Sequence, residues 1–233
     1  METRSSHPLL GQFGGTLSGW LFPPACALCR SPLEPSTSLN TATFCVSCTR
    51  ELVERNAHYC PRCGAIVGPY SATSSGCIHC RADRLDMEHI WAIGNYEHLL
   101  SRAITGAKNG GLPLIRGLTE LLWQIHGPAL TAWKPDLIIP VPVQWWDRLC
   151  RSRVTTDEFA FSLSRHLGAR LSLRSLRKPR KTTPQHRLSG KDRRKNIRNA
   201  HQPGWRVHLT GQRILLVDDV LTTGSTANDC IRV

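Results

Sequence analysis

Apolar positions fall into three textures along the chain. Between His7 and Leu21, Leu9, Leu10, Phe13, Leu17, Trp20 and Leu21 recur at helical spacing, with Ser5 or Ser6 as candidate caps and Pro8 in the first turn. Pro23-Pro24 stops that run, and from there to about Arg84 apolar residues thin out between cysteine pairs. Beyond Asp86 long periodic runs return. IWAIGNYE (90–97) reads as a strand, HLLSRAITGAKNGG (98–111) as a helix ending in glycines, and LIRGLTELLWQIHGPAL (114–130) as another helix. DLIIPVPV (136–143) is a short apolar strand ended by prolines, TTDEFAFSLSRHL (155–167) a helix with Thr156 as candidate cap, and RILLVDDV (213–220) a second buried strand.

Strands alternating with helices predict an α/β domain with a mostly parallel sheet over 86–233. An amphipathic helix over 1–24 and a cysteine-rich domain over 25–85 precede it.

The cysteines give the middle region its chemistry. Cys26-Ala-Leu-Cys29, Cys45-Val-Ser-Cys48, Cys60-Pro-Arg-Cys63 and Cys77-Ile-His-Cys80 take eight of the ten. Fifteen residues (30–44) separate the first two pairs and thirteen (64–76) the last two. A two-residue spacer lets both thiolates of a knuckle face one tetrahedral ion, and a second knuckle completes the four sulfurs. The pattern predicts two structural zinc ribbons, with sequential pairing preferred to interleaved. A disulfide scaffold is the competing reading, and a redox CxxC would leave three pairs unexplained. His79 lies inside the last knuckle, but Cys77 and Cys80 suffice without it. Cys150 and Cys230 have no partner by spacing and read as small apolar residues. Four thiolates close the coordination sphere, so such zinc holds structure and does no chemistry.

Composition narrows the setting. No window of the 233 residues approaches the ~18 apolar residues of a membrane span. The first thirty carry no apolar run before a small-residue cleavage site, so a cytoplasmic, reducing compartment is expected, where cysteines bind metal. The net charge of +13 is uneven: Arg174–Arg198 holds eleven Lys and Arg against Asp192 alone, which is ten of the thirteen charges. A polyanion or phosphorylated ligand is implicated at that place. The segment 174–206 is otherwise polar and fits a mobile loop.

The carboxyl-terminal stretch ILLVDDVLTTGST (214–226) sharpens the ligand. Strand ends in an open parallel sheet face the ligand crevice. A hydroxyl-rich loop leading into a helix offers N–H and O–H donors to a phosphate dianion, and Gly224 permits close approach or a positive φ. Asp218 and Asp219 then accept hydrogen bonds from a hydroxylated group or support a cation; a sugar phosphate with a vicinal diol satisfies both halves. A receiver domain would need about a hundred more residues, whereas fourteen follow Asp219. A phosphate loop of the GxxxxGK[ST] type lacks its lysine here. A plain acidic helix cap leaves the hydroxyl run unexplained.

These residues carry a resemblance. ILLVDDVLTTGST resembles the phosphoribosyl pyrophosphate (PRPP) motif of type I phosphoribosyltransferases. With the four knuckles, DLIIPVPV and TTPQHRLSGKDRRKNIRNA (182–200), the chain resembles the ComF family of competence-associated proteins from about Leu17 onward. The resemblance implies a type I phosphoribosyltransferase-like sheet behind a small double zinc ribbon. It implies that Asp218 and Asp219 hold the ribose hydroxyls, that Thr222, Thr223, Gly224, Ser225 and Thr226 cradle the 5-phosphate, and that magnesium accompanies PRPP. Arg148, Arg151 and Arg153 would form a cationic loop after the PVPV strand. Arg193 or Arg194, in the stretch from Gln185 to Arg198, would reach the pyrophosphate, and Lys108 is a further candidate.

Three departures from the family pattern stand beside it. The family's RGFNQ-like stretch is replaced by Arg153-Val-Thr-Thr-Asp-Glu158, which bears on the acceptor pocket and on activity; His201 stands where an aromatic is common. The chain stops seven residues after Thr226, so a short final helix and no closing strand are expected. Function is expected to be pentosyl transfer from PRPP, with a role in DNA uptake or utilisation. The alternative is a non-catalytic PRPP or nucleotide sensor, or an adaptor for single-stranded DNA or a competence helicase. Trp145-Trp146 reads as packing, with base stacking, worth ~1–3 kcal/mol per base, as the competing role.

Overall fold

The computed structural model describes residues 23–33, 43–54, 58–60, 62–65, 67–73, 76–78, 80–81, 85–144, 148, 154–179, 199–204 and 208–233. The helix expected over 7–21, His79, Trp145-Trp146, Cys150 and the stretch 180–198 lie outside them.

Two cysteine knots lead the chain. In the first, Cys26 N–H donates to the Ser31 carbonyl and Arg30 N–H to the Cys26 carbonyl, both at 2.8 Å. Arg30 takes a φ of 63° to close this turn. Helix α1 (Val46–Glu54) starts just after Cys45 and carries Cys48. In the second knot a two-residue hairpin, β1 (Ala72–Thr73) and β2 (Gly76–Cys77), pairs Ala72 with Cys77. Gly76 has a φ of +110°, and a Cβ there would lie 2.6 Å from Cys80 Sγ, so only glycine lets this knuckle close.

The α/β body follows. Helix α2 (His98–Lys108) buries Leu99, Ala103, Ile104 and Ala107, one apolar stripe at helical period. Helix α3 (Leu112–Trp133) has proline in its first turn, where a missing N–H costs nothing, and ends on Lys134 in the left-handed region. Strand β3 (Leu137–Pro140) is buried at every position. Helix α4 (Thr155–Leu167) leads into β4 (Arg170–Leu171). Strands β5 (Leu176–Arg177) and β6 (Gln202–Pro203) form an antiparallel ribbon, and the basic stretch lies between them in sequence. Strand β7 (Ile214–Val217) precedes the short helix α5 (Ser225–Ile231).

The sheet has the order β4-β3-β7, all parallel, with Leu137 opposite Ile214 and Pro140 opposite Val217. The fold is thus mixed α/β around a parallel sheet. Its central strand is continuous and apolar, as a strand covered on both faces must be.

The first knot shares the core of this body. Cys26, Phe44, Cys48 and Leu52 belong to one buried cluster with residues of α2, α3, β3 and α4. Phe44 is fully buried against Gly117 of α3, where a Cβ would come within 2.7 Å of the ring. The second knot has its own small cluster of Cys60, Cys77 and Cys80, with Leu85 against it.

Three local expectations are corrected. The span 174–206, expected as a loop, carries the paired strands β5 and β6. Residues 90–97 form no strand: the Ala92 carbonyl is 2.9 Å from His126 Nε2 instead of meeting a ladder partner. Their apolar alternation serves side-chain contacts, with Trp91 against Trp133 and Ile90 against Gly64. Thr156 does not cap α4. Val154 occupies that position without a side-chain bond, and the Thr156 hydroxyl donates to the Val141 carbonyl at 3.3 Å.

Candidate functional site

Strand β7 delivers Asp218 and Asp219 to the carboxyl end of the sheet, where its apolar run ends and the chain turns. Asp219 N–H donates to Asp218 Oδ1 at 2.8 Å, which fixes one carboxylate over its neighbour's backbone. Lys108, the last residue of α2, places Nζ 3.0 Å from Asp219 Oδ2. The helix that sequence periodicity predicted therefore ends with its ammonium on the acidic pair.

Asp218 is under electrostatic pressure. Loss of solvent, and then the charge of Asp219, push its carboxyl from 3.8 up to about 7. The Asp219 N–H, Lys108 and Lys178 pull the other way. A carboxyl poised there gains from any ligand that brings hydroxyl donors or a cation.

The loop after the acids runs through Leu221, Thr222 and Thr223 to Gly224, which takes a φ of 69° as the N-cap of α5. Leu221 and Thr222 are exposed, and Thr223 Oγ1 lies 2.7 Å from Ser225 Oγ. A Cβ on Gly224 would lie 3.0 Å from Leu85 Cδ2 and 3.5 Å from Met87 Cε, so the segment leaving the second knot presses on the loop. The same segment grips α5: Asp86 N–H donates to Asn228 Oδ1 at 3.0 Å, and Arg232 Nε donates to Asp86 Oδ2 at 2.8 Å.

A cavity of about 840 Å³ opens beside the acids. Its walls are β7, the segment 86–96 and the inner face of α2, and Asp218 and Asp219 supply carboxylates to a largely apolar lining. That volume suits a small-molecule ligand.

The structure brings together Asp218, Asp219, Lys108 and the hydroxyl loop 222–226. Arg148 is turned elsewhere, with Nη2 2.9 Å from Asp157 Oδ2 in the first turn of α4. Arg151, Arg153, Arg193 and Arg194 lie outside the described residues. Sequence reasoning missed Asp229, Asn228 and Asp86, which hold α5 behind the loop and have no motif of their own; Lys178 was counted only as one charge of the basic stretch.

The cysteines form two groups of four, Cys26, Cys29, Cys45 and Cys48 in one and Cys60, Cys63, Cys77 and Cys80 in the other. Within each, the sulfurs lie within 4.8 Å of one another, the span of a tetrahedral metal site, and the pairing is sequential. In the first group the bond to Ser31, above all, brings the Cys29 thiol down to about 6, whereas burial pushes Cys45 and Cys48 up.

Comparison with known proteins agrees. Residues 17–83 match the model of the double zinc ribbon domain, so the two clusters are structural zinc sites. The DNA utilization protein YhgH of Escherichia coli O6:H1 is 30% identical over 209 residues, covering 88% of this chain and 87% of that protein. YhgH of Salmonella typhimurium and competence protein F of Haemophilus influenzae are each 29% identical over the same span. No solved structure matches. Among the described residues no helix is long and apolar enough to cross a membrane.

Proposed function

The chain belongs to the ComF family, the family of competence protein F and the DNA utilization protein YhgH, and from that premise we propose that residues 86–233 are a type I phosphoribosyltransferase-like domain that binds PRPP with magnesium. On this reading residues 25–85 form the double ribbon ahead of that domain. Through its relatives' named roles the chain is assigned to DNA uptake or utilisation.

The observation that carries the ligand assignment is the acidic pair at the carboxyl end of a parallel strand, followed by a hydroxyl loop and a helix, with an ammonium on one acid. Asp218 and Asp219 accept from the ribose diol, and residues 222–226 donate to the 5-phosphate. Lys108 and the cations of 174–198 offset the charge of a departing pyrophosphate. Carboxylate oxygens are the donors that a hard cation takes, so the pair fits magnesium, which when bound supplies further neutralisation of the pyrophosphate.

Calorimetric titration of the zinc-loaded protein with PRPP and magnesium tests this. Saturable binding lost in an Asp218→Ala, Asp219→Ala double variant is the expected result; no binding by the folded parent overturns it. A search for acceptors by pyrophosphate release then separates catalyst from sensor.

A second reading rests on the concentration of ten net charges in 174–198. An adaptor for single-stranded DNA or a competence helicase would bind DNA with steep salt dependence, lose affinity on Lys/Arg→Ala changes there, and ignore Asp218.

A further inference from the structure

One buried carboxylate is not used by the reading above. Asp229, on α5, is 9% exposed, and its two oxygens are taken by a neighbouring strand of chain. Oδ1 accepts the N–H of Asn199 at 2.7 Å; Oδ2 accepts those of Ala200 and His201, both at 3.0 Å, and lies 2.8 Å from His201 Nδ1. Bonds to an ionised acceptor are roughly twice as strong as neutral ones, so this is a firm fastening. Asn199 holds a φ of 56° at the fastened point.

The fastened residues lead into β6, whose partner β5 runs into Lys178. Leu176 of β5 lines the same cavity as Asp218 and Asp219 and shares a buried cluster with Cys230 of α5, which places the end of β5, two residues before Lys178, beside the acidic pair. The ribbon is thus tied to α5 on its β6 side and borders the cavity of the acids on its β5 side.

We propose that Asp229 is a positioning residue: by seating Asn199–His201 on α5 it sets where the cationic β5–β6 ribbon, with Lys178, stands relative to the ligand. This rests on the PRPP reading and on the division of labour that reading implies; what it adds is the part played by Asp229. The loop 222–226 serves the 5-phosphate and the ribbon serves the pyrophosphate. Loss of Asp229 should therefore weaken pyrophosphate recognition selectively, whereas a merely structural role for a residue of α5 would disturb both ends of the ligand.

The test is calorimetry on the zinc-loaded full chain with PRPP and, separately, ribose 5-phosphate, each with magnesium. Asp229→Asn should weaken PRPP binding about tenfold while ribose 5-phosphate stays within about twofold. Asp229→Glu, which keeps the charge, should restore most of the difference. Equal weakening of both ligands, or no change in either, overturns the inference while leaving the PRPP reading intact. A parent protein that binds neither ligand overturns both.

Discussion

The two cysteine knots use the same chemistry for different ends. The first puts Cys26 and Cys48 into the main core and wedges Phe44 against Gly117, so its metal holds up the α/β body. The second keeps its cysteines in a separate cluster, and what leaves it, Leu85–Met87, presses on Gly224 and ties down α5. One is a strut of the fold and the other a brace for the loop after the acidic pair. The spacing of the pairs is nearly the same in both; the difference lies in what packs against them.

The hardest blow to this contrast comes from unequal cysteine variants. Cys26→Ser with Cys48→Ser should abolish cooperative thermal unfolding followed by circular dichroism, since structural zinc contributes on the order of 10 kcal/mol and here opens the main core. Cys60→Ser with Cys77→Ser should keep a cooperative transition and lose one zinc by metal analysis. Equal outcomes for the two would break the comparison.

Phe44→Ala tests the strut without touching a ligand of the metal. It should cost about 3–5 kcal/mol in denaturant unfolding, as other buried Phe→Ala changes do, with both zinc ions retained.

Asp218→Asn sharpens the account of the loop. A carboxyl raised from 3.8 to about 7 gives stability that is complete below about 3.8 and is lost as pH rises to about 7. The parent should weaken over that window. The variant, which has no proton to lose, should surpass it at pH 8 by on the order of 1–3 kcal/mol. No pH-dependent difference would mean that the acid is not held there.

Asp86→Ala has the smallest effect on stability, within about 1 kcal/mol, because its bond to Arg232 is surface-exposed. PRPP affinity should fall more than stability does, as the brace on α5 loosens.

Much of this was legible in the sequence. Helices α2, α3 and α4 and strands β3 and β7 follow from apolar periodicity, and the cysteine grouping from pair spacing. The acidic loop announced itself because acids beside a hydroxyl run after an apolar strand are chemically unusual. What stayed hidden is tertiary. The 90–97 segment alternates as a strand does, yet His126 takes its carbonyl. Asp229 looks like any polar helix residue until Asn199–His201 are laid on it. Lys108 carried the right charge, but only the length of α2 puts it on Asp219. The sharing of the core by Cys26 and Phe44 has no local signature, since knuckles normally bury their sulfurs among themselves.

The most direct measurement is amide hydrogen exchange on the zinc-loaded protein with and without PRPP and magnesium. The account predicts added protection at 218–231 and at 85–87, with 26–52 unchanged. Protection confined to other segments, or none at saturating PRPP, would contradict it.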